Sequence, residues 1–411
     1  MATVFPFRPY RYSETAGPLQ ALVTQPYDKI TPEMQARYLS LSPYNLVRII
    51  LGERLPSDTE SDNVYTRAAA YLRKWIADGI LFQEPTPCLF AYFQEFSVPD
   101  TGERLLRKGF IGLGKVEDYS TGVVYRHEQT LSGPKKDRME LLQHTRAHFG
   151  QIFMLYPDRQ GTVDAILDSV SRHTPCCEVT DEYSVVHRLW KISDRERITA
   201  ITTAMADKKL IIADGHHRYE TALAFHNDHP ELEDASKVMM TFVNMYSPGL
   251  KILATHRVVD GVQTDTFFAS LRERFPVREL SSVEALKSLW GRPEPQKVRI
   301  GVAVRGRLAV LEIPREGQIL DVSFLHERIL RDMLNISDEA IRNEQRVRYV
   351  RGVELAIQQT YGAAGRLAFL LEPTSVEDVA RIAFACGLLP QKSTDFYPKL
   401  LSGLTVYVLE K

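Results

Sequence analysis

Cysteine is scarce in this chain of 411 residues, and no apolar run is long enough to cross a membrane. Cys88, Cys176, Cys177 and Cys386 form no C-x-x-C pair, which argues against a structural zinc site and favours a reducing compartment. The segment Met1–Tyr10 lacks the apolar core and the small-residue cleavage site of a signal peptide. We therefore expect a cytoplasmic protein with no membrane partner.

An excess of charge of one sign is also missing. The 51 Lys and Arg residues nearly balance the 52 Asp and Glu residues, for a net charge of -1. Such a chain has no general attraction to nucleic acid, so we expect small-molecule partners instead. Internal repeats and low-complexity segments are absent from the sequence. The length suits two or three ordinary globular domains.

The stretch 210–218 combines a buried strand with reactive side chains. Residues 210–213 form an apolar run, Asp214–Gly215 interrupts it, and apolar residues then recur at helical spacing. We expect a strand, a tight glycine turn and a helix that begins near His216 or His217. This geometry directs free backbone N–H groups towards an anion.

The turn itself carries four groups suited to catalysis or phosphate binding. Asp214 can hold a metal or a hydroxyl group, and His216 and His217 can transfer protons near neutral pH. Arg218 can bind a phosphate or carboxylate through two parallel hydrogen bonds, next to the backbone of Gly215. The alternative is a surface turn in which Asp214 caps the helix.

A second candidate cluster lies in a strand predicted over 123–130. Its alternation places Arg126, Glu128 and Thr130 on one face and His127 on the other. These side chains are either half of a site or a cross-strand charge pair.

A third group of candidates comes from two later segments. Thr255-His256-Arg257 lies in a strand predicted over 252–259, and Lys392-Ser393-Thr394 lies in the C-terminal tail. The tail resembles the end of a phosphate loop but lacks its preceding glycines, so it is not a Walker motif. The alternative for the tail is a capped turn that docks Phe396 and Tyr397.

Three further segments complete the prediction. Asn45 precedes a buried strand predicted over 46–51 and could face a substrate or fix a neighbouring loop. Asn244 ends another strand, before a turn, and could face a substrate. A helix predicted from residue 135 to about 149 would place His144 and His148 on one face. A capping box at Ser375 predicts a helix that reaches Cys386 and stops at Gly387.

The order of these elements predicts an α+β fold with mixed, largely antiparallel sheets and flanking helices. Residues 1–261 would form an N-terminal α+β domain that carries the Asp-Gly-His-His-Arg turn. Residues 262–411 would form a C-terminal α+β domain, whose Lys-Ser-Thr tail we expect to return to that turn.

The motifs together resemble a bacterial and archaeal family known as domain of unknown function 1015. The matching pieces run along essentially the whole chain: Pro26-Tyr-Asp28, Arg126-His-Glu128-x-Thr130, Ala213–Tyr219, Asn244-Met245, Thr255-His-Arg257 and Lys392-Ser-Thr. The resemblance implies no settled activity.

A shorter resemblance concerns about fifteen residues. Gly215-His-His-Arg218 and the alanine-containing helix after it are similar to the phosphate-binding G-x-x-R segment of the ParB/sulfiredoxin superfamily. That superfamily includes CTP-binding partition proteins, sulfiredoxin and a free-serine kinase. The resemblance implies a ParB/sulfiredoxin-like core with a nucleotide phosphate on the 215–218 turn.

We therefore hypothesise a cytoplasmic phosphotransferase that binds ATP, ADP or CTP with Mg²⁺ and acts on a small hydroxylated metabolite. Asp214, His216, His217 and Glu128 would be catalytic. Asp214 and Glu128 would hold the Mg²⁺ or act as base, and His216 or His217 would take or give the proton. Asn45 and Asn244 would contact the substrate. The phosphate would be bound by Gly215, Arg218, Arg126, Thr130, His256, Arg257, Lys392, Ser393 and Thr394.

Two alternatives belong to other functional classes. One is a metal-dependent hydrolase in which His127, His216, His217 and His256 surround one ion. The other is a non-enzymatic, ParB-like regulator that a nucleotide switches.

Overall fold

The computed structural model describes residues 1–128 and 132–410. These residues form two compact units. Unit 1 contains residues 1–126, 132–251 and 398–410, and unit 2 contains residues 127–128 and 252–397. The chain therefore passes from unit 1 into unit 2 and returns to unit 1 for its last residues.

Both units contain β-strands. In chain order they are β1 (Val4–Phe5), β2 (Tyr10–Tyr12), β3 (Leu81–Gln83), β4 (Leu89–Ser97), β5 (Arg104–Lys115), β6 (Val124–Tyr125), β7 (Ala147–His148), β8 (Ile152–Tyr156), β9 (Cys177–Thr180), β10 (Val186–Ile192), β11 (Leu210–Asp214), β12 (Lys237–Asn244), β13 (Lys251–Leu253), β14 (Thr255–Val259), β15 (Val277–Leu280), β16 (Lys297–Val304), β17 (Arg307–Pro314), β18 (Val347–Arg351), β19 (Leu367–Leu370), β20 (Asp395–Tyr397) and β21 (Tyr407–Val408).

Helices alternate with these strands. They are α1 (Pro32–Leu41), α2 (Val47–Ile50), α3 (Val64–Ala77), α4 (Ser132–Thr145), α5 (Thr162–Val170), α6 (Arg195–Met205), α7 (His216–Asp228), α8 (Thr264–Arg274), α9 (Val283–Trp290), α10 (Asp321–Phe324), α11 (Asp338–Arg342), α12 (Val353–Gln359) and α13 (Val376–Phe384). A π-helical turn, Leu325–Arg331, continues α10.

Unit 1 is built on a mixed sheet. Among the described residues its strand order is β6-β11-β8-β12-β5-β4-β10-β9, with β1 paired to β5. The pairs β6–β11 and β8–β12 are parallel, and the other pairs of this sheet are antiparallel. Buried residues of α5, α6 and α7 pack against the sheet in one apolar cluster.

Unit 2 is built on an antiparallel sheet with the strand order β15-β17-β16-β19-β14-β18. Side chains alternate along each strand, so Val258 joins the apolar cluster that includes α9 and α12, and Val259 joins the cluster that includes α8 and α10. The two units confirm the predicted α+β class with mixed, largely antiparallel sheets and flanking helices.

The predicted strand over 46–51 is wrong, because these residues form the short helix α2. The side-chain oxygen of Asn45 accepts the N–H of Val47 at 2.9 Å and turns the chain into a helical conformation. Val47, Ile49 and Ile50 are buried in this helix, as they would be in the predicted strand. A short apolar run does not distinguish a buried strand from a buried helix.

The strand predicted over 123–130 is shorter than expected. Within residues 123–128, strand pairing is confined to Val124–Tyr125, in parallel with β11, and Glu128 forms a single bridge to Leu389. Arg126 and Glu128 therefore do not share one strand face. Thr130 lies outside the described residues.

Two predicted helix ends are also wrong, because non-glycine residues there adopt left-handed backbone angles. Arg146 has φ 49°, and α4 ends just before it, so His148 lies in β7 and shares no helix face with His144. Cys386 has φ 57°, and α13 ends at Phe384 instead of continuing to Gly387. A left-handed residue cannot continue a right-handed helix.

Throughout the part of the chain that the structure describes, no helix combines the length and the apolar character needed to cross a bilayer.

Candidate functional site

The turn after β11 has the predicted geometry. Gly215 precedes α7 with φ 94°, a left-handed conformation that favours glycine, and its carbonyl accepts the N–H of Tyr219 at 2.9 Å. Glycine has no side chain with which to cap the helix. The helix dipole places partial positive charge at this end of α7, within unit 1.

Arg218 lies folded back over this turn. Its Nη2 donates to Asp214 Oδ2 at 2.9 Å, and its Nη1 donates to the carbonyl of Gln151. A Cβ atom at Gly215 would lie 3.0 Å from Nη2, and one at Gly150 would lie 3.1 Å from Nη1. The two glycines thus leave the space that the guanidinium group occupies. The sequence analysis did not identify Gly150 or Gln151.

Gly150→Ala should displace this guanidinium group, because the new Cβ would also lie 3.2 Å from Ser402 Oγ. We expect a loss of about 1–3 kcal/mol in the free energy of unfolding, as for an overpacked site. Urea unfolding of a double-mutant cycle checks this: the loss should shrink clearly in an Arg218→Ala background.

Gly291→Ala is the control, since its Cβ would meet neighbours only at 3.5 Å and beyond. An equal loss for Gly150→Ala with and without Arg218 would show that the two residues are not coupled.

Asp214 lies between two cationic side chains. Its Oδ2 accepts from Arg218 and its Oδ1 accepts from Lys399 Nζ at 3.2 Å, and 22% of its side chain is exposed. Burial by itself would raise the pKa of this carboxyl, but the charges of Lys399, Arg218 and Lys29 outweigh it and hold the pKa well below the usual range. Asp214 is therefore a weak base, and the predicted role as general base fits it poorly.

Lys399 is the residue of this site that the sequence analysis missed. Gln94 Nε2 donates to its carbonyl at 2.9 Å, and Arg107, which is itself buried, donates to the carbonyl of Pro398. These contacts fix the backbone of the C-terminal segment and direct the lysine at Asp214. The only local signal was the lysine's position in the tail, 185 residues from its partner.

A small pocket with a cavity volume of about 60 Å³ opens beside Arg218 within unit 1. Arg138, on α4, lines it as well, and its guanidinium lies 4.0 Å from the ring centre of Tyr27. Burial raises the pKa of Tyr27 to about 12, although Arg138 and Arg218 are both close enough to oppose that shift. The two arginines therefore flank one aromatic side chain at the pocket.

The other candidates of unit 1 have different contacts. Arg126 pairs with Glu220 of α7 at 3.6 Å and stacks over Tyr119, with 41% of its side chain exposed. His216 and His217 are half-buried in the first turn of α7. These three residues border the turn.

The two asparagines have structural contacts. Asn45 is fully buried, and its amide donates to the carbonyl of Ala21 and accepts from Val47. Asn244 is also buried and bonds both the N–H and the carbonyl of Asp158. These contacts match the loop-fixing alternative, so neither asparagine enters the site proposed below.

Several of the other predicted site residues lie in unit 2, next to the C-terminal segment 391–394. Arg257 is buried, and its Nη2 donates to the carbonyls of Gln391 and Lys392 at 3.2 Å each. Glu128 Oε1 accepts the N–H of Lys392 at 2.9 Å, and Lys392 adopts φ 57°. A buried cation and a carboxylate thus hold both backbone groups of a left-handed lysine.

The hydroxyl groups of this turn are also engaged. His127 Nε2 lies 2.7 Å from Thr394 Oγ1, and Ser393 Oγ donates to the carbonyl of Pro390. Of the Lys-Ser-Thr motif, Lys392 is the residue with a charged side chain. The two hydroxyl groups shape the turn.

His256 lies on the opposite face of β14 from Arg257, as alternation requires. It is buried, and its Nδ1 accepts the N–H of Leu371 at 3.2 Å. Burial, helped by the charge of Arg257, lowers the pKa of His256 to about 4. His256 is therefore a buried side chain that is neutral at physiological pH, and its predicted contact with phosphate stays a prediction.

Burial of His256 should make the free energy of unfolding depend on pH. An unfolded histidine has a pKa of about 6.5, so between that value and about 4 the unfolded chain binds the extra proton and gains stability relative to the folded one. We expect the free energy of unfolding to fall as the pH drops through this window. His256→Asn, which keeps an acceptor near the Nδ1 position, should reduce that fall in urea unfolding at pH 7 and pH 5.

His173→Asn is the control, because His173 is exposed. An unchanged pH dependence in His256→Asn would contradict the assignment.

Over residues 1–128 and 132–410, no three His, Cys, Asp or Glu side chains converge closely enough to hold a metal ion. Of the four histidines of the hydrolase hypothesis, His127 and His256 have the contacts described above, and His216 and His217 lie in unit 1.

A family model described as "Protein of unknown function (DUF1015)" matches residues 4–332 of the chain. The chain belongs to the DUF1015 family. The match includes the Asp214–Arg218 turn, and it ends before the Lys-Ser-Thr tail and Lys399 of this DUF1015 chain. No curated protein of known function matches the sequence significantly.

Several solved structures resemble this DUF1015 chain weakly. A conserved hypothetical protein from Pyrococcus furiosus superposes with a TM-score of 0.35 and 12% identity, over 67% of this chain and 87% of the other. A free serine kinase variant in complex with ADP gives a TM-score of 0.37 and 11% identity, over 69% and 89%. A C-terminally truncated SbnI from Staphylococcus aureus gives 0.37 and 12%, over 72% and 87%.

Proposed function

We propose that unit 1 binds the phosphate of a nucleotide at the turn 214–218. The observation that carries this proposal is that Arg218 and Lys399 share one carboxylate, Asp214, while Lys29 lies close enough to act on the same group. Three cationic side chains thus act on a single carboxylate. An anionic group bound there would be attracted to these cations in a partly buried setting, where electrostatic attraction exceeds that in water.

The start of α7 supports the same proposal. The helix runs for 13 residues from His216, so its backbone dipole places partial positive charge at Gly215. A glycine at this position lets a ligand approach the backbone closely. A phosphate can therefore accept hydrogen bonds from the helix N-terminus and from Arg218 together.

As the reaction, we propose phosphoryl transfer to a small hydroxylated metabolite, with ATP, ADP or CTP as the bound nucleotide. His216 or His217 would take or give the proton, and Arg218 and Lys399 would neutralise charge that develops on the phosphoryl group. Arg126 remains a candidate for a further phosphate contact, and the role expected for Lys392 stays a prediction. A ParB/sulfiredoxin-like core and a cytoplasmic location remain predictions.

A magnesium ion held by Asp214 fits this arrangement poorly. Both carboxylate oxygens already accept from cations, and a divalent ion beside Arg218 and Lys399 would meet their repulsion. Glu128 likewise uses an oxygen on the backbone of Lys392. We therefore assign Asp214 the role of counter-ion to the phosphate-binding side chains.

Thermal unfolding against a panel of nucleotides, each with and without Mg²⁺, tests the proposal. A ligand that binds the folded state raises the melting temperature by mass action. We expect a shift with at least one nucleotide. Tight binding without turnover would identify the nucleotide-switched regulator, and stabilisation by transition metals alone would favour the hydrolase over the phosphotransferase.

A further inference from the structure

Unit 2 contains a pocket with a largely apolar wall and a volume of about 510 Å³. Small-molecule sites usually measure about 300–1,000 Å³. Phe275, Ile313 and Ile319 line it and are only partly buried. The ring of Phe324, also in the lining, meets that of Phe275 edge to face at 5.5 Å. A ligand with an apolar body would therefore remove apolar protein surface from water.

One side of this pocket has an uncommon backbone geometry. Phe324 precedes the π-helical turn that continues α10, Arg328 lies within this turn, and Asp332 follows it; all three line the pocket. Leu325 and Ile329 of the same turn are fully buried, which fixes the turn on the core of unit 2. π-Helical turns are rare and occur frequently at functional sites. The wall is therefore typical of a binding site.

The pocket is lined by charged groups of both signs. Arg274 and Arg328 contribute two formal positive charges, and Glu316 and Asp332 contribute two formal negative ones. Of these four, Arg328 and Asp332 lie 3.8 Å apart. Because the formal charges of the lining balance, the pocket is complementary to a ligand that carries both signs and no net charge.

Arg274 and Glu316 are the charged lining residues that a ligand can engage without displacing a partner. Both residues are exposed, and over residues 1–128 and 132–410 neither side chain forms an ion pair or a hydrogen bond. Arg274 can bind a carboxylate through two parallel hydrogen bonds. Glu316 can accept hydrogen bonds from an ammonium group. A ligand that uses both residues must carry a carboxylate and an ammonium group on an apolar body.

We infer that this pocket of unit 2 binds a free α-amino acid with a large apolar side chain, such as leucine or phenylalanine. The apolar side chain packs against the wall, the carboxylate binds Arg274, and the ammonium group binds Glu316. The inference does not depend on the proposed function, because every lining residue belongs to unit 2 and the turn 214–218 belongs to unit 1.

Calorimetric titration of the full chain tests this assignment. The probes are L-leucine and L-phenylalanine, the matched acids that lack the ammonium group (isocaproate and hydrocinnamate), the matched amines that lack the carboxylate (isoamylamine and phenethylamine), and L-serine. We expect at least one apolar amino acid to bind about tenfold or more tightly than its acid, its amine and serine, because each lacks a charged hydrogen bond or the apolar contact.

Equal binding of serine, of the matched acid or of the matched amine would overturn the inference, and so would a lack of binding by both apolar amino acids. Any of these results would leave the proposed phosphate site of unit 1 intact.

Arg274→Gln and Glu316→Gln test the two charged contacts separately. Both residues are exposed, so we expect folded proteins. In Arg274→Gln the amino acid should bind no better than its matched amine, because the carboxylate has lost its partner. In Glu316→Gln it should bind no better than its matched acid. A folded variant of either kind that keeps the full preference for the amino acid would overturn the inference.

Arg278→Gln and Glu273→Gln are the matched controls. Both residues are exposed, each carries the same charge as its counterpart, and neither is among the described residues that line the pocket. The control proteins should bind the amino acid as tightly as the unsubstituted protein does.

Discussion

Arg218→Ala should remove about half or more of the stabilisation that a nucleotide gives to this protein. The arginine is 15% exposed and lies against two glycines, so its guanidinium group is held in place before a ligand arrives. Loss of a hydrogen bond to a charged group costs about 1.5–3 kcal/mol, which corresponds to a roughly ten- to hundredfold weaker affinity. At a nucleotide concentration of about 100 Kd, stabilisation should fall from about 2.7 kcal/mol to about 1.4 kcal/mol or less.

Arg67→Ala is a matched control for this measurement. Arg67 lies on α3, pairs with Asp58 at 2.7 Å and donates to the carbonyl of Glu53 at 2.9 Å, so it loses the same kinds of contact. Its nucleotide response should equal that of the unsubstituted protein. A folded Arg218→Ala protein with unchanged nucleotide affinity would reject the proposed phosphate site.

Asp214→Asn should destabilise the ligand-free protein and strengthen its binding of phosphate. Removing the carboxylate leaves Arg218 and Lys399 without the charge that they share. Breaking a buried pair costs about 3–5 kcal/mol, and we expect the lower end of this range because 22% of the Asp214 side chain is exposed. Added phosphate or pyrophosphate should restore much of the lost stability, since the anion takes the place of the carboxylate.

The carboxylate of Asp214 should also make the free energy of unfolding fall at acidic pH. Its folded pKa is depressed, so its contribution to stability is complete above the unfolded aspartate pKa of about 3.9 and is lost as the pH falls below it towards the folded value. The Asp214→Asn protein should not show this loss of stability at low pH.

Glu84→Gln is the matched control for Asp214→Asn. Glu84 is 4% exposed and is likewise shared by an arginine and a lysine, Arg11 at 2.9 Å and Lys191 at 2.6 Å. The Glu84→Gln protein should lose stability, and added phosphate should not restore it. A metal ligand or general base at position 214 predicts the reverse for Asp214→Asn, namely weaker Mg²⁺-dependent nucleotide binding or lost turnover without tighter phosphate binding.

The sequence by itself determined the α+β class and the strand–turn–helix from residue 210 to 228. These features depend on neighbours in the chain: an apolar run makes β11, a left-handed glycine ends it, and apolar residues at helical spacing make α7. The types of reactive side chain at the 214–218 turn could also be predicted from the sequence. Where the backbone left its expected angles, as at Arg146, the pattern alone placed a helix end incorrectly.

Only the tertiary structure decided which groups work together. Lys399 reaches Asp214 because Gln94 and Arg107 hold its backbone, and Gly150 matters because Arg218 folds onto it. Asn45, which could equally have faced a ligand, is buried on backbone groups. A side chain's type is written in the sequence, but its partner, its burial and hence its charge state depend on residues that the fold brings together from far along the chain.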